Sequence, residues 1–231
     1  MGNLIIQVVE RVLALVGLIV LSPVLAVVAV LIAKEDGWPI LFRQVRIGLN
    51  GRPFELLKLR SMRKSNAGAL ITASGDARIT PIGRIIRKYK LDEIPQLWNV
   101  VRGDMSLVGP RPETERYVEV ADPRWQKVLS VRPGITDLAT LLCRDEESML
   151  SGAADPDAFY RQVLLPRKLA VSAAGIDGRS AWRDLQLLVI TVLCSFLPSR
   201  FDAAKMSEKV FGISLSAAEP GHNPCPACPT R

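Results

Sequence analysis

The sequence predicts an α+β fold, mostly helical, in which an N-terminal membrane helix precedes a small cytoplasmic domain with one β-hairpin and surface-lying amphipathic helices. Three observations carry this. From Val12 to Ala33 no charge interrupts a run dominated by Leu, Val, Ile and Ala, long enough to meet the roughly 20 apolar residues a bilayer span needs. Two short alternating runs meet at Asn50-Gly51, a pair whose tolerance of positive φ suits a tight hairpin turn. Beyond them, apolar residues recur at helical spacing, as at Ile82, Ile85 and Ile86. The 231 residues then divide into a membrane segment at 1–36, one domain at 37–205 and a tail at 206–231.

The membrane segment is expected to be a retained anchor. Glu10 and Arg11 make a poor basic start for a cleaved signal peptide, and the apolar run exceeds the core of one. In its middle, Ser22-Pro23 predicts a kink: proline removes a helical hydrogen bond, and a serine hydroxyl can satisfy the freed carbonyl. A spanning helix and a helix that breaks and returns to the same face both fit. The charges at each end (Glu10 and Arg11; Lys34, Glu35 and Asp36) suit either. A basic excess over residues 40–130 places the domain after the anchor in the cytoplasm.

The hairpin is expected from Ile40–Ile47 and Pro53–Arg60, with Lys58 and Arg60 on one face. Lys64 to Ala77, rich in Ala, Gly, Ser and Asn, reads as a mobile loop that could act as a lid. After Thr80-Pro81 a short basic helix runs from Ile82 to Lys90, and a second, opened by Pro95, ends near Gly103. Gly109-Pro110-Arg111-Pro112 is a rigid turn presenting one guanidinium, a planar fork suited to phosphate. Arg132-Pro133-Gly134-Ile135-Thr136 predicts another turn, and Arg144-Asp145-Glu146-Glu147 a solvated helix start. Phe159 to Ala170 reads as helix interrupted at Pro166. Leu185 to Cys194 is too short to span, and suits a core helix or one lying flat on a membrane. The tail, Pro-rich from Ala217, is expected to be disordered; its His222, Cys225 and Cys228 imitate a metal knuckle with only three ligands. There is no internal repeat, P-loop or dinucleotide glycine motif.

Thirty Lys and Arg against 23 Asp and Glu leave a net charge of +7, which points to an anionic partner: nucleic acid, anionic lipid or a phosphorylated substrate. Four scattered cysteines (Cys143, Cys194, Cys225 and Cys228) do not make a disulfide scaffold in a chain this long and suit a reducing compartment.

The chemistry concentrates at Asp92-Glu93, placed just before Pro95 and downstream of Arg84, Arg87, Lys88 and Lys90. A helix N-terminus depresses carboxylate pKa values and attracts phosphate. The pair is therefore either a nucleophilic or metal-binding site beside a phosphate, or a simple cap. A membrane-tethered nucleic-acid-binding module would leave the pair unexplained and lacks interleaved aromatics, so nucleic acid is not expected as a partner. A non-catalytic scaffold of a polysaccharide assembly complex would show no turnover.

Six ordered motifs resemble the bacterial sugar transferase family, monotopic phosphoglycosyltransferases that act on polyprenyl phosphate. They are Phe42-Arg43-Gln44-x-Arg46-x-Gly48; Phe54-x-x-x-Lys58-x-Arg60-Ser61-Met62; Ile79-Thr80-Pro81-x-Gly83-x-x-x-Arg87; Leu91-Asp92-Glu93-x-Pro95-Gln96-Leu97-x-Asn99-Val100; Gly103-Asp104-Met105-Ser106-x-Val108-Gly109-Pro110-Arg111-Pro112; and Arg132-Pro133-Gly134-Ile135-Thr136. The likeness covers about Leu13 to Leu197.

That resemblance implies transfer of a phospho-sugar from a nucleotide diphosphate sugar, of which a UDP-sugar is the leading case, to polyprenyl phosphate at the cytoplasmic face of a bacterial inner membrane. It opens glycoconjugate or exopolysaccharide assembly. It implies Mg²⁺, held by Asp92 and Glu93, a covalent intermediate on Asp92, and Glu93 assisting the second step. Lys58 and Arg87 would spread positive charge over the transferring group and Arg111 would hold a phosphate. The family's membrane helix is re-entrant and broken at a Ser-Pro pair, which Ser22-Pro23 matches. Where many relatives carry Gly-Trp-Ala-Gln this chain reads Asp137-Leu138-Ala139-Thr140, so the sugar pocket is expected to differ, with Arg144 a candidate for nucleotide or sugar. A homo-oligomer is left open.

Overall fold

The computed structural model describes residues 2–63, 76–197 and 200–212. The expected loop at 64–77 lies almost wholly outside them, as do His222, Cys225 and Cys228. Helix α1, Gly2–Asp36, carries Pro23 inside it without interruption. Pro23 has no N–H to give the carbonyl of Ile19. The Ser22 hydroxyl donates to that same oxygen at 2.7 Å, so the pair repairs the bond its own proline removes.

Among the described residues α1 alone is long and apolar enough to cross a membrane, by length and composition. Leu4, Val8, Val12, Ile19, Val27 and Val30 on it are each at least half exposed. The remaining face packs on the domain along both halves. Ala14 joins Leu56, Val100, Met105 and Leu107 in one core, while Val28 and Ile32 join Leu59 and Ile86 in another. Arg60 closes the far end, donating to the Asp36 carbonyl at 2.7 Å and lying 3.2 Å from its carboxylate.

Strands β1, Leu41–Ile47, and β2, Pro53–Leu59, form the expected antiparallel hairpin, with Leu41 opposite Leu59. Asn50 and Gly51 at the turn have φ of 56° and 74°, the left-handed geometry the Asn-Gly pair predicts. Helix α2, Pro81–Lys88, is capped by Thr80, whose hydroxyl accepts from Gly83 N–H at 2.9 Å. Helix α3, Gln96–Arg102, ends at Gly103.

The expected turn at 132–136 is instead the lead-in to a strand. β3, Ser106–Val108, pairs in parallel with β4, Gly134–Thr136. The reason is close contact between two glycine backbones: a Cβ on Gly134 would sit 2.1 Å from Gly109 N, and one on Gly109 2.5 Å from the Arg132 carbonyl.

The C-terminal half is helical: α4 (Pro123–Leu129), α5 (Leu138–Leu142), α6 (Glu146–Ser151), α7 (Pro156–Phe159), α8 (Leu165–Asp177), α9 (Ala181–Phe196) and α10 (Ala203–Phe211). The helix expected over 159–170 is interrupted by a π turn at Tyr160–Leu164 rather than at Pro166, which follows that turn directly in the first turn of α8. On α9, Leu187, Ile190 and Cys194 are buried, while Trp182, Leu185, Val189, Val192 and Phe196 form an exposed apolar stripe. Residues 206–211, expected with the tail, continue α10, where Ser207 is fully buried. Cys143 and Cys194 are buried free thiols.

Candidate active site

The two carboxylates sit one step earlier than the sequence suggests. Lys90 adopts a left-handed conformation with φ 55°, which ends α2 and starts a 3₁₀ turn at Leu91–Glu93; Pro95 then takes the N-cap place of α3. Asp92 and Glu93 therefore occupy the tight turn before α3, not its first turn.

Their neighbours give the two carboxylates opposite characters. Glu93 accepts from Lys58 Nζ at 3.2 Å and from both terminal nitrogens of Arg111, at 2.5 and 3.3 Å. Asp92 is 5% exposed, and its Oδ1 has no hydrogen-bond partner. Burial raises the Asp92 pKa, against the pull of Lys58. Burial alone would raise Glu93 too, but Arg111 and Lys58 outweigh it and hold that carboxyl well below its usual range. The depression expected at a helix end thus holds for Glu93 alone, and its cause is the two cations. Burial lowers the Lys58 pKa, and Glu93 resists the shift.

Sequence-distant contacts set this arrangement. Asn99, fully buried, accepts from Leu57 N–H at 3.1 Å and donates to the Glu55 carbonyl at 2.7 Å, so one side-chain amide docks α3 on β2. Lys58 comes directly after Leu57 and meets Glu93. Arg46 donates to the Pro112 carbonyl at 3.0 Å and to Glu113 at 3.2 Å, while Ile47 N–H donates to the Glu113 carbonyl at 2.9 Å. The other Glu113 oxygen accepts from Tyr160 at 2.5 Å, and Lys168 lies 3.6 Å from it and 2.8 Å from Glu146. This buried network fixes the Arg111 turn, and nothing in the motifs assigns a role to Glu113, Tyr160 or Lys168. The only trace is a lysine set between the apolar residues Leu165 and Leu169.

Of the remaining candidates, Arg87 lies near enough to lower the Asp92 pKa and is ion-paired with Glu147. Glu146 and Glu147 open helix α6 as expected, but they also pair with Lys168 and Arg87 rather than facing solvent alone. Arg144 is not brought to the cluster: it donates to the Cys194 carbonyl at 2.8 Å, near the end of α9. Asp137 caps α5, accepting from the Thr140 N–H and hydroxyl at 2.7 Å each, and takes a third bond from Ser172 at 2.5 Å. Among the described residues no three His, Cys, Asp or Glu side chains gather as a metal cage. The unpartnered Asp92 oxygen suits a single protein ligand to a Mg²⁺ bound mostly by substrate oxygens.

Residues 1–197 match the family model described as bacterial sugar transferase. The chain belongs to the bacterial sugar transferase family. It is 39% identical over 176 residues to a UDP-glucose:undecaprenyl-phosphate glucose-1-phosphate transferase of Caulobacter vibrioides, covering 74% of this chain and 62% of that one. A UDP-N-acetylgalactosamine-undecaprenyl-phosphate N-acetylgalactosaminephosphotransferase of Aeromonas hydrophila is 40% identical over 56% of this chain and 32% of its own. The exopolysaccharide production protein ExoY of Sinorhizobium fredii is 37% identical over 65% of this chain and 74% of its own. The chain thus spans less than two thirds of the first two relatives. In this chain Arg111 grips Glu93 as a two-pronged fork, a geometry lysine cannot reproduce. Arg111→Lys is expected to lower turnover about tenfold or more, and full activity would show that a point charge suffices.

Proposed function

We propose that this sugar transferase moves a sugar 1-phosphate from a UDP-sugar to polyprenyl phosphate through a covalent intermediate on Asp92, as the first membrane step of polysaccharide or glycoconjugate assembly. The observation that carries the reading is the split carboxylate pair: Glu93 gathers Lys58 and Arg111, while Asp92 beside it is buried with an unpartnered oxygen. A poorly solvated carboxylate with a free lone pair is a competent nucleophile. Its oxygen bonds to the sugar-bearing phosphorus as the bond to the nucleotide phosphate breaks and uridine monophosphate leaves. An oxygen of polyprenyl phosphate then attacks the same phosphorus and releases Asp92, with Glu93 assisting this second step. Lys58, Arg87 and Arg111 supply the positive charge that phosphoryl transfer requires. Mg²⁺, held by Asp92 while both oxygens of Glu93 stay with Lys58 and Arg111, would neutralise diphosphate oxygens when bound.

The substrates named for the Caulobacter and Aeromonas relatives, a UDP-sugar and undecaprenyl phosphate, support this choice. The test is a panel of UDP-sugars with polyprenyl phosphate, reading out uridine monophosphate. No release from any of them would leave a scaffold role.

The same reading places both ends of α1 on the cytoplasmic side, which a helix that runs unbroken through Pro23 for 35 residues meets only by bending at Ser22-Pro23 in the bilayer. Supporting it, the domain accompanies α1 from Ala14 to Glu35, whose carboxylate accepts from the Ile82 N–H at the start of α2. A helix crossing the bilayer outright would carry polar parts of the domain into hydrocarbon, where their groups lack water. A cysteine at Leu4 is expected to be labelled from the cytoplasmic side of sealed vesicles. Labelling from the periplasmic side alone would leave a conventional spanning anchor.

A further inference from the structure

Lys168 is 7% exposed, and no step of the reaction uses it. A lysine at that depth is rare unless paired. Its Nζ lies 2.8 Å from Glu146 and 3.6 Å from Glu113, and it donates to the Tyr160 hydroxyl at 3.3 Å. Burial opposes the charge, but Tyr160, Glu146 and Glu113 outweigh it and hold the Lys168 pKa well above the usual lysine value. Such an ion cluster is a weak source of stability, because apolar side chains of similar volume commonly serve a fold as well. Its placement beside the Arg111 turn gives it another use.

Glu113 and Glu146 are rivals of Glu93 for Arg111. The Arg111 pKa is raised by Glu93 above all, against the cost of burial, and next by Glu146 and Glu113. Glu113 also stands two residues past Arg111 on the same turn. Yet both terminal nitrogens of the guanidinium donate to Glu93. The rivals are engaged elsewhere: Glu113 accepts from Arg46 at 3.2 Å on one oxygen and from Tyr160 at 2.5 Å on the other, and Glu146 accepts from Lys168. Among the described residues, only Lys168 pairs with both carboxylates. Resting on the proposed role of Arg111 at the substrate phosphate, we infer that Lys168 is its positioning residue: by neutralising Glu113 and Glu146 in place, it leaves the guanidinium fork on Glu93 and its charge toward the substrate. Without the lysine, two carboxylates short of a counter-ion pull on the fork through a poorly screening interior. No bond is made or broken at Lys168, and no proton leaves it.

The test measures equilibrium affinity for a UDP-sugar the wild type turns over, using the full chain in lipid nanodiscs, below the Tm of every variant. All proteins compared carry Asp92→Asn, so that binding is read without turnover. Lys168→Met keeps the length of the side chain and removes its charge. It is expected to weaken UDP-sugar binding about tenfold when Arg111 is present, and less than about twofold when Arg111→Ala has already removed the fork, the non-additivity of two residues acting through one another. A lysine that only holds the fold together would lower Tm and leave the affinity of the folded protein unchanged, which overturns the inference. Equal weakening in both backgrounds overturns it as well. If methionine unfolds the chain, Lys168→Gln, which keeps a donor for the two carboxylates, carries the same comparison with the same outcomes. Wild-type affinity in Arg111→Ala alone would instead remove the role of Arg111, whatever the Lys168 variants do.

Discussion

Asp92→Asn is expected to abolish transfer, by about a thousandfold or more, and to leave no covalent sugar-phosphate adduct. The amide oxygen is too weak a nucleophile to displace a nucleoside monophosphate. The same substitution separates chemistry from folding. Asp92 is buried with an unpartnered oxygen, and burial disfavours its charge. A neutral isostere removes a desolvated carboxylate and breaks no hydrogen bond to Oδ1, so Tm should hold or rise. The checks are intact-mass measurement of the adduct after incubation with a UDP-sugar, and a melting curve. An adduct persisting in the variant moves the nucleophile elsewhere; a large fall in Tm would mean that Asp92 holds the fold together.

How far the site is legible in the chain depends on the range of the interactions that build it. Local signals read directly: the Asn50-Gly51 turn, the Thr80 cap, the Gly103 stop and the Ser22-Pro23 repair each depend on a few adjacent residues. The β3–β4 pair does not, because three-residue strands carry no usable period and their parallel pairing joins residues 28 apart, Ser106 to Gly134. The carboxylates stand out, but their division of labour does not. It depends on Lys58 and Arg111, which reach Glu93 from 35 and 18 residues away. Arg144 shows the converse error: a basic residue in a departing stretch invites a ligand role, and a backbone carbonyl of α9 already engages it.

Glu93→Gln carries the second large effect, and it falls on both fold and turnover. Glu93 is the carboxylate shared by Lys58 and Arg111, at 3.2 and 2.5 Å, and all three side chains are largely buried. Replacing it by an amide leaves two desolvated cations facing each other without the carboxylate they share, a change that costs about 3–5 kcal/mol when one partner of a buried pair is removed. In a chain of this size that corresponds to a Tm lower by about 10 °C. Turnover should fall about a hundredfold or more, because the fork of Arg111 loses the group that aims it and the second half-reaction loses its assisting carboxylate. Lys58→Met in the same background separates the two losses. It removes one uncompensated cation and should restore several degrees of Tm, while turnover stays low because the lost lysine also supplied charge to the transferring phosphoryl group. A Glu93→Gln variant that melts like wild type would show that solvent or lipid phosphate already screens the two cations. A double variant regaining activity together with stability would reduce Glu93 to a purely structural counter-ion.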